Sequence, residues 1–426
     1  MSSILRGSRC AARSLLSPIV GKLGHFSTSV GTKIITMSTP SLIAHTNASG
    51  SVANITLNRP KALNALDQEM CQGMLNLLKD WKSEKDGLRP IAFIMKGAGG
   101  KAFCAGGDVK SIWEEIAQGG TDGKPLDVSL VGQGTSGFKH SDFFRVEYQM
   151  NYALGMCSAP AQVSLWDGFV MGGGVGISAL GKYRVCTDST MFAMPETAIG
   201  LFPDVGSSNW LPHLKPAGFG MYIGLTGVRL HAYDLLQSGI ATHYVPQDKL
   251  VALEEALMAL PADARADDVP CILSCFAQTP QPDPKKSILH EHADAVRRVF
   301  TAGVGSNDPI AAIYTALGKE VTAGGVSADW AAKTKATLLK MSPTSCAVTH
   351  EQLQRGERLS LGPCLVMEYR ASQRCMAADF QEGIRALLID RDNKPVWRPA
   401  PKGPAEVAAF FEPLQGGKTD LVIPTA

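Results

Sequence analysis

The chain of 426 residues predicts an α/β fold. Three observations carry that prediction. Short apolar runs of strand length alternate with segments of helical period. Two glycine-rich turns each follow a strand and open onto a helix. The composition, 45% hydrophobic and 19% charged, supplies apolar surface for a sizeable core.

Residues 42–57 alternate as a hairpin, with Asn47-Ala48-Ser49-Gly50 as its turn. Asn58-Arg59-Pro60 ends the second strand. Asp67 then stands where a helix cap belongs, before an apolar face of Met70, Met74, Leu77, Leu78 and Trp81. Ile91-Ala92-Phe93-Ile94-Met95 predicts a short buried strand, followed by a glycine turn and a second helix. Residues 119–140 are rich in Gly, Ser, Thr and Asp, lack a period and predict a long functional or disordered loop. A helix is expected over 142–156. The pattern repeats at 161–165, 172–180 and 183–187, and strands alternating with helices argue for α/β architecture. An Asp- and Pro-rich stretch at 261–284 marks a change of region, and helical patterns dominate from there through Arg374.

The first acidic residue is Asp67. Before it, Arg6, Arg9, Arg13, Lys22 and Lys33 are interleaved with seven serines between Ser2 and Ser29. Leu5, Leu15, Leu16, Ile19 and Val20 can line one face of a short basic helix. An acid-free, Arg- and Ser-rich amphipathic leader predicts an organelle transit peptide and a mitochondrial, matrix address, with a disordered tail as the bland reading and a chloroplast address as a weaker rival. Gly24-His25-Phe26-Ser27-Thr28 has the look of a mitochondrial processing region, and the last five residues are not a peroxisomal Ser-Lys-Leu signal. The expected division is a leader over 1–36, a core over 37–260 and a mainly helical region over 261–426.

A net charge of +2 gives no global field for nucleic acid or an acidic partner. No apolar run reaches the ~18 residues of a membrane span. The ten cysteines are scattered, which predicts reduced, mostly buried thiols rather than a disulfide framework. No His or Cys cluster completes a metal set, so no metal is expected.

The chemistry lies in three segments. Lys101-Ala102-Phe103-Cys104-Ala105-Gly106-Gly107-Asp108-Val109 and Gly168-Phe169-Val170-Met171-Gly172-Gly173-Gly174-Val175-Gly176 are the two glycine turns. Glycines let backbone N–H groups approach a ligand closely, and two amides aimed at one carbonyl oxygen make an oxyanion hole. Tight helix–sheet packing is the plain alternative. A nucleotide loop is a weaker one, because no Gly-Lys-Ser/Thr follows the glycines. The third segment, Phe192 to Gly206, sets Glu196 and Asp204 among Phe, Ala, Met, Ile, Leu and Val. An unpaired charge is costly in such surroundings, so the pair is a candidate for acid, base or nucleophile roles; two surface turn acids are the bland reading.

The two turns, their spacing and the Met194-Pro195-Glu196 run resemble the crotonase (enoyl-CoA hydratase/isomerase) superfamily. That resemblance implies a ClpP-like fold, a repeated ββα spiral core with a C-terminal helical region, and an acyl-CoA thioester as substrate. CoA then belongs to the substrate and is no cofactor. The resemblance places the oxyanion-binding amides at Gly107 and Gly173, with Ala105 and Gly106 beside the CoA arm. It also places a hydratase glutamate three residues beyond the second amide donor. Here that position is Gly176. Glu196 matches the second hydratase glutamate, and Asp204 stands where hydratases have glycine.

One carboxylate kept, one lost and one gained is the pattern of the 3-hydroxyisobutyryl-CoA hydrolase family. The likeness runs from about Leu42 to Trp397 and includes Leu225-Thr226-Gly227, Gly239-Ile240-Ala241-Thr242-His243, Met341-Ser342-Pro343-Thr344-Ser345, Met367-Glu368-Tyr369-Arg370 and Glu382-Gly383-Ile384-Arg385-Ala386. It implies thioester hydrolysis in valine breakdown. Glu196 would be nucleophile or general base, Asp204 would hydrogen-bond the substrate's 3-hydroxyl, and Glu147 would join the substrate pocket. Glu368 and Glu382 are expected to pair with Arg370 and Arg385. His140 and His243 show no partner pattern for a Ser or Cys triad. Asp167, an acid where the family commonly has His or Asn, would disfavour an oxyanion if it pointed inward. A homo-oligomer is left open. The alternative is a structural role in the small subunit of the mitochondrial ribosome, against which the retained site residues speak.

Overall fold

The computed structural model describes residues 37–83, 89–117, 139–414 and 420–423. The expected leader over 1–36, the loop over 119–138 and the side chain of His140 lie outside the described residues. Ten strands form two sheets. A seven-stranded sheet has the order β1 (Met37–Ser38), β2 (Leu42–Thr46), β3 (Val52–Leu57), β4 (Ala92–Gly97), β6 (Ala161–Trp166), β8 (Tyr183–Cys186), β10 (His243–Tyr244). A three-stranded sheet has the order β5 (Ala102–Cys104), β7 (Phe169–Met171), β9 (Met191–Ala193). β1, β2 and β3 pair antiparallel; every later pairing in both sheets is parallel.

The expected spiral is visible in this order. β4–β5, β6–β7 and β8–β9 are three successive pairs, each giving its first strand to the large sheet and its second to the small one. Each pair ends in a helical turn: Val109–Ala117, Gly173–Gly176, then the 3-10 turn Glu196–Ile199. Because β5, β7 and β9 lie side by side, the three segments that follow them converge at one end of the small sheet.

Alternation along the strands buries both faces of the large sheet, as parallel sheets require. Phe93 and Met95 enter the main core, while Ile94, Val163, Leu165 and Val185 turn to the other face. There they meet Leu253 and Leu257 of the Leu250–Met258 helix and Leu273 of the Asp268–Phe276 helix. The main core is continuous from Leu42 to Leu421, joining the sheets to the later helices. Each fully buried Leu, Phe or Met contributes roughly 1.5–3 kcal/mol relative to an exposed one.

The hairpin over 42–57 forms as expected. The Gln68–Ser83 helix buries Met70, Met74, Leu77, Leu78 and Trp81, and Asp67 Oδ1 accepts from Met70 N at 2.9 Å. The helix expected from 142 begins earlier, as Lys139–Gly155. The helix expected over 172–180 is instead the short Gly173–Gly176 segment followed by turns. The reason is lateral: Gln162 Nε2 of β6 takes the Ile177 carbonyl at 2.6 Å, and Gly181 N donates to Ser178 O at 3.0 Å. A regular helix would have used those groups on each other. Beyond residue 284 the chain is helical, through Ile288–Phe300, Pro309–Ala323, Ala328–Leu338, Pro343–Gly356, Leu361–Met376 and Phe380–Ile384. Among the described residues no helix is long and apolar enough to cross a membrane.

Candidate active site

A small pocket of about 80 Å³ opens where the three turns converge. Its lining includes Ala105, Gly106 and Gly107 after β5, Gly172 and Gly173 after β7, and Glu196 after β9. Glu147 from the Lys139–Gly155 helix and Asp204 complete it, so every site residue expected from the sequence faces one cavity.

The first turn is fixed by a single bridge to Leu66. Leu66 N donates to Gly106 O, and Asp108 N donates to Leu66 O, both at 2.8 Å. That pairing uses the Gly106 carbonyl and the Asp108 amide, on either side of Gly107. Arg59 locks the loop from outside, with Nη2 to Asp108 Oδ2 at 2.8 Å and Nη1 to Ala65 O at 2.7 Å. On the second turn, Gly173 stands at the start of its helix, where an amide has no helical acceptor. Among the described residues neither the Gly107 nor the Gly173 amide has a protein acceptor. A Cβ on Gly173 would stand 3.1 Å from Gly107 N and 2.6 Å from Glu147 Oε1, so only glycine lets these groups close on each other. Two adjacent free amides are what an oxyanion needs.

Glu196 begins its 3-10 turn and is buried. Its Oε1 lies 2.9 Å from the position of a Cβ on Gly172, which sets the carboxyl directly against the second turn. The later helices brace it: Gly200 and Gly383 abut the backbones of Asp379–Phe380 and Ile199 so closely that any Cβ would clash. Glu196 Oε2 and Glu147 Oε1 are buried without a protein partner among the described residues. Asp204 differs, because Tyr148 Oη donates to its Oδ2 at 2.6 Å.

Three buried carboxyls in one cavity raise one another's affinity for protons. Burial pushes Asp204 up to about 6 against the opposing pull of the Tyr148 hydrogen bond. Burial, then the Asp204 charge, holds Glu196 well above the ordinary carboxylate range. Burial and the charges of Asp204 and Glu196 do the same to Glu147. Of the three, Asp204 is the one whose ionised form a side-chain donor, Tyr148, supports.

Gly176 cannot carry a side chain here. A Cβ would lie 2.4 Å from Val205 Cβ and 2.7 Å from Asn151 Nδ2, so the side chain of Val205 fills the space a glutamate would enter. Asp167 does not point inward. Its Oδ1 accepts from Ser189 Oγ at 2.5 Å and from Gln247 Nε2 at 3.0 Å, away from the pocket. Glu382 does pair with Arg385, at 2.8 Å. Glu368 does not pair with Arg370, whose guanidinium binds Asp420 at 2.5 Å. Residues two apart on a helix face different directions, and Glu368 turns inward to the segment after Asp204. Tyr148, Phe143 and Val205 are site residues that the sequence did not announce; an aromatic beside Glu147 on an apolar helix face reads as ordinary core. Among the described residues no group of three His, Cys, Asp or Glu side chains is placed to hold a metal ion.

Residues 52–410 match the enoyl-CoA hydratase/isomerase family model. The chain is 41% identical over 348 residues to the mitochondrial 3-hydroxyisobutyryl-CoA hydrolase of Mus musculus, covering 81% of this chain and 82% of that one. It is 42% identical over 353 residues to the Danio rerio protein of the same name, covering 82% and 84%. Among solved structures, a carnitinyl-CoA dehydratase from Mycobacterium thermoresistibile superposes with a TM-score of 0.71 at 34% identity, over 89% of this chain and 100% of that one. An enoyl-CoA hydratase from Rhodobacter sphaeroides 2.4.1 superposes with a TM-score of 0.69 at 31% identity, over 88% and 98%. By match length and by identity, the chain belongs to the enoyl-CoA hydratase/isomerase family and, within it, to the 3-hydroxyisobutyryl-CoA hydrolases.

Proposed function

We propose that this protein hydrolyses the thioester of a short 3-hydroxyacyl-CoA, most simply 3-hydroxyisobutyryl-CoA, to the free acid and CoA. The observation that carries the reading is Glu196, buried with its Oε2 lacking a protein partner among the described residues, against a turn whose neighbouring amides are free. The thioester oxygen sits between Gly107 N and Gly173 N, which take up negative charge as the carbonyl is attacked; one such donor is worth about 2.7–4 kcal/mol. Glu196 supplies the electron pair, by direct attack to give a mixed anhydride or by taking a proton from water. Asp204, oriented by Tyr148, accepts a hydrogen bond from the 3-hydroxyl. Glu147 closes the acyl pocket beside Gly173. Hydration of a double bond needs a second acid–base glutamate, and the space around Gly176 has no room for one. A ribosomal scaffold has no use for three buried, unneutralised acids in one cavity, which weighs against the structural alternative. The basic leader supports a mitochondrial matrix address.

The test is release of CoA from 3-hydroxyisobutyryl-CoA by the purified protein. Absence of release under conditions where the protein is folded would overturn the reading. Single-turnover hydrolysis in oxygen-18 water then tests the anhydride route, since label in Glu196 can arise only through it. An anhydride hydrolysed at its Glu196 carbonyl leaves label in Glu196, whereas the general-base route sends all of it to the product.

A further inference from the structure

The turn that follows Asp204 is strained and is held from far along the chain. Val205 has φ of 55°, in a region that a β-branched residue rarely enters, and Gly206 follows at φ of 87°. Such conformations persist only where the surroundings over-determine them. The constraint here is Glu368, fully buried on the Leu361–Met376 helix. Its Oε2 accepts from Gly206 N at 2.7 Å; its Oε1 accepts from Ser208 N at 3.0 Å and from Ser208 Oγ at 2.5 Å. A second late helix adds to the grip, as Gln352 Nε2 donates to Pro203 O at 2.5 Å. Asp204 lies between these anchor points, with Tyr148 as the partner of its carboxylate.

We propose that Glu368 is a positioning residue for substrate choice: by clamping the strained Val205 turn from the C-terminal helices, it aims the Asp204 carboxylate at the 3-position of the acyl group. This rests on the reading of Asp204 as the partner of the 3-hydroxyl. Glu368 touches no substrate. Both of its oxygens are taken up by two amides and one hydroxyl, which fixes the turn from two sides. The C-terminal region thereby belongs to the recognition apparatus as well as to the core.

The experiment compares 3-hydroxyisobutyryl-CoA with isobutyryl-CoA, which lacks the hydroxyl, in the parent and in Glu368→Gln. Hydrolysis is measured as kcat and KM well below the melting temperature. Binding is measured by calorimetry in the Glu196→Gln background, where turnover does not intrude. Glu368→Gln is expected to lower the preference for the hydroxylated ester about tenfold, mainly through KM, with the deoxy ester changed less than about threefold. Ser208→Ala, which removes one donor and keeps the carboxylate, is expected to shift the ratio the same way by a smaller factor. It also serves if Glu368→Gln does not fold. Val205→Gly, which takes a positive φ without strain, is expected to restore part of the ratio to Glu368→Gln. Equal losses for both esters, or an unchanged ratio in both Glu368→Gln and Ser208→Ala, would overturn the role of Glu368. A parent that hydrolyses neither ester overturns the proposed function alone, since the binding ratio still reports on Glu368. A parent with no binding preference overturns the role of Asp204 and this proposal with it.

Discussion

The Tyr148 phenol and the Asp204 carboxylate share a buried hydrogen bond of 2.6 Å, joining the Lys139–Gly155 helix to the strained turn. Tyr148 gives Asp204 a donor that neither Glu147 Oε1 nor Glu196 Oε2 has. Removing a hydrogen bond to a charged group costs about 1.5–3 kcal/mol. Tyr148→Phe is therefore expected to lower kcat/KM for 3-hydroxyisobutyryl-CoA by about tenfold or more, with a smaller effect on isobutyryl-CoA. Steady-state kinetics with the two esters checks this.

Glu196→Gln is nearly isosteric but supplies neither a nucleophile nor a base. Loss of a positioned base typically costs about 10²–10⁴ in rate. We expect kcat to fall within that range or further while substrate affinity, measured by calorimetry, stays within a few-fold. The variant should melt at or above the parent temperature, because it removes a buried acid that repels Asp204.

The pH–rate profile follows from the same repulsion. Glu196 must be ionised to act, and burial and Asp204 hold its proton on above the ordinary range. The rate should rise with pH along an acid limb set by that raised pKa, not by an ordinary carboxylate. Asp204→Asn removes the neighbouring charge and should move the limb to lower pH, whatever it does to the plateau. A limb that does not move would argue against electrostatic contact between the two acids.

Stability should depend on pH in the opposite sense. Burial raises Asp204 to about 6 and Glu368 to about 8 in the folded protein. A raised folded-state pKa means that the native state binds the proton more tightly than the unfolded chain does. That contribution is fully present below the unfolded carboxylate value and is lost as pH rises through about 6 and then about 8. Thermal melting across this window should show a decline that Asp204→Asn flattens in its lower part.

Much of this was legible in the sequence because the governing rules are local. Asp67 before an apolar face, Asn47–Gly50 between alternating runs, and glycines after strands each act within a few residues, and each holds in three dimensions. Glu196 and Asp204 could be singled out because acids in an apolar run demand a reason. What sequence could not supply was direction across the fold. Glu368 next to Arg370 in number suggested an ion pair, yet the helix turns one inward and the other toward Asp420. Tyr148 looked like core, which it also is. The early end of the helix after Gly173 depended on Gln162, from another strand, taking its carbonyl.

The closeness of the Val205 side chain to Gly176 also makes the site hard to convert. Because the Val205 side chain occupies the adjoining volume, a glutamate placed at 176 meets a filled space and costs folding before it can offer chemistry. Any move toward hydration would have to clear 205 and fill 176 together, a joint change that stepwise mutation seldom samples. In this chain, packing as well as the set of reacting groups stands between the site and hydration.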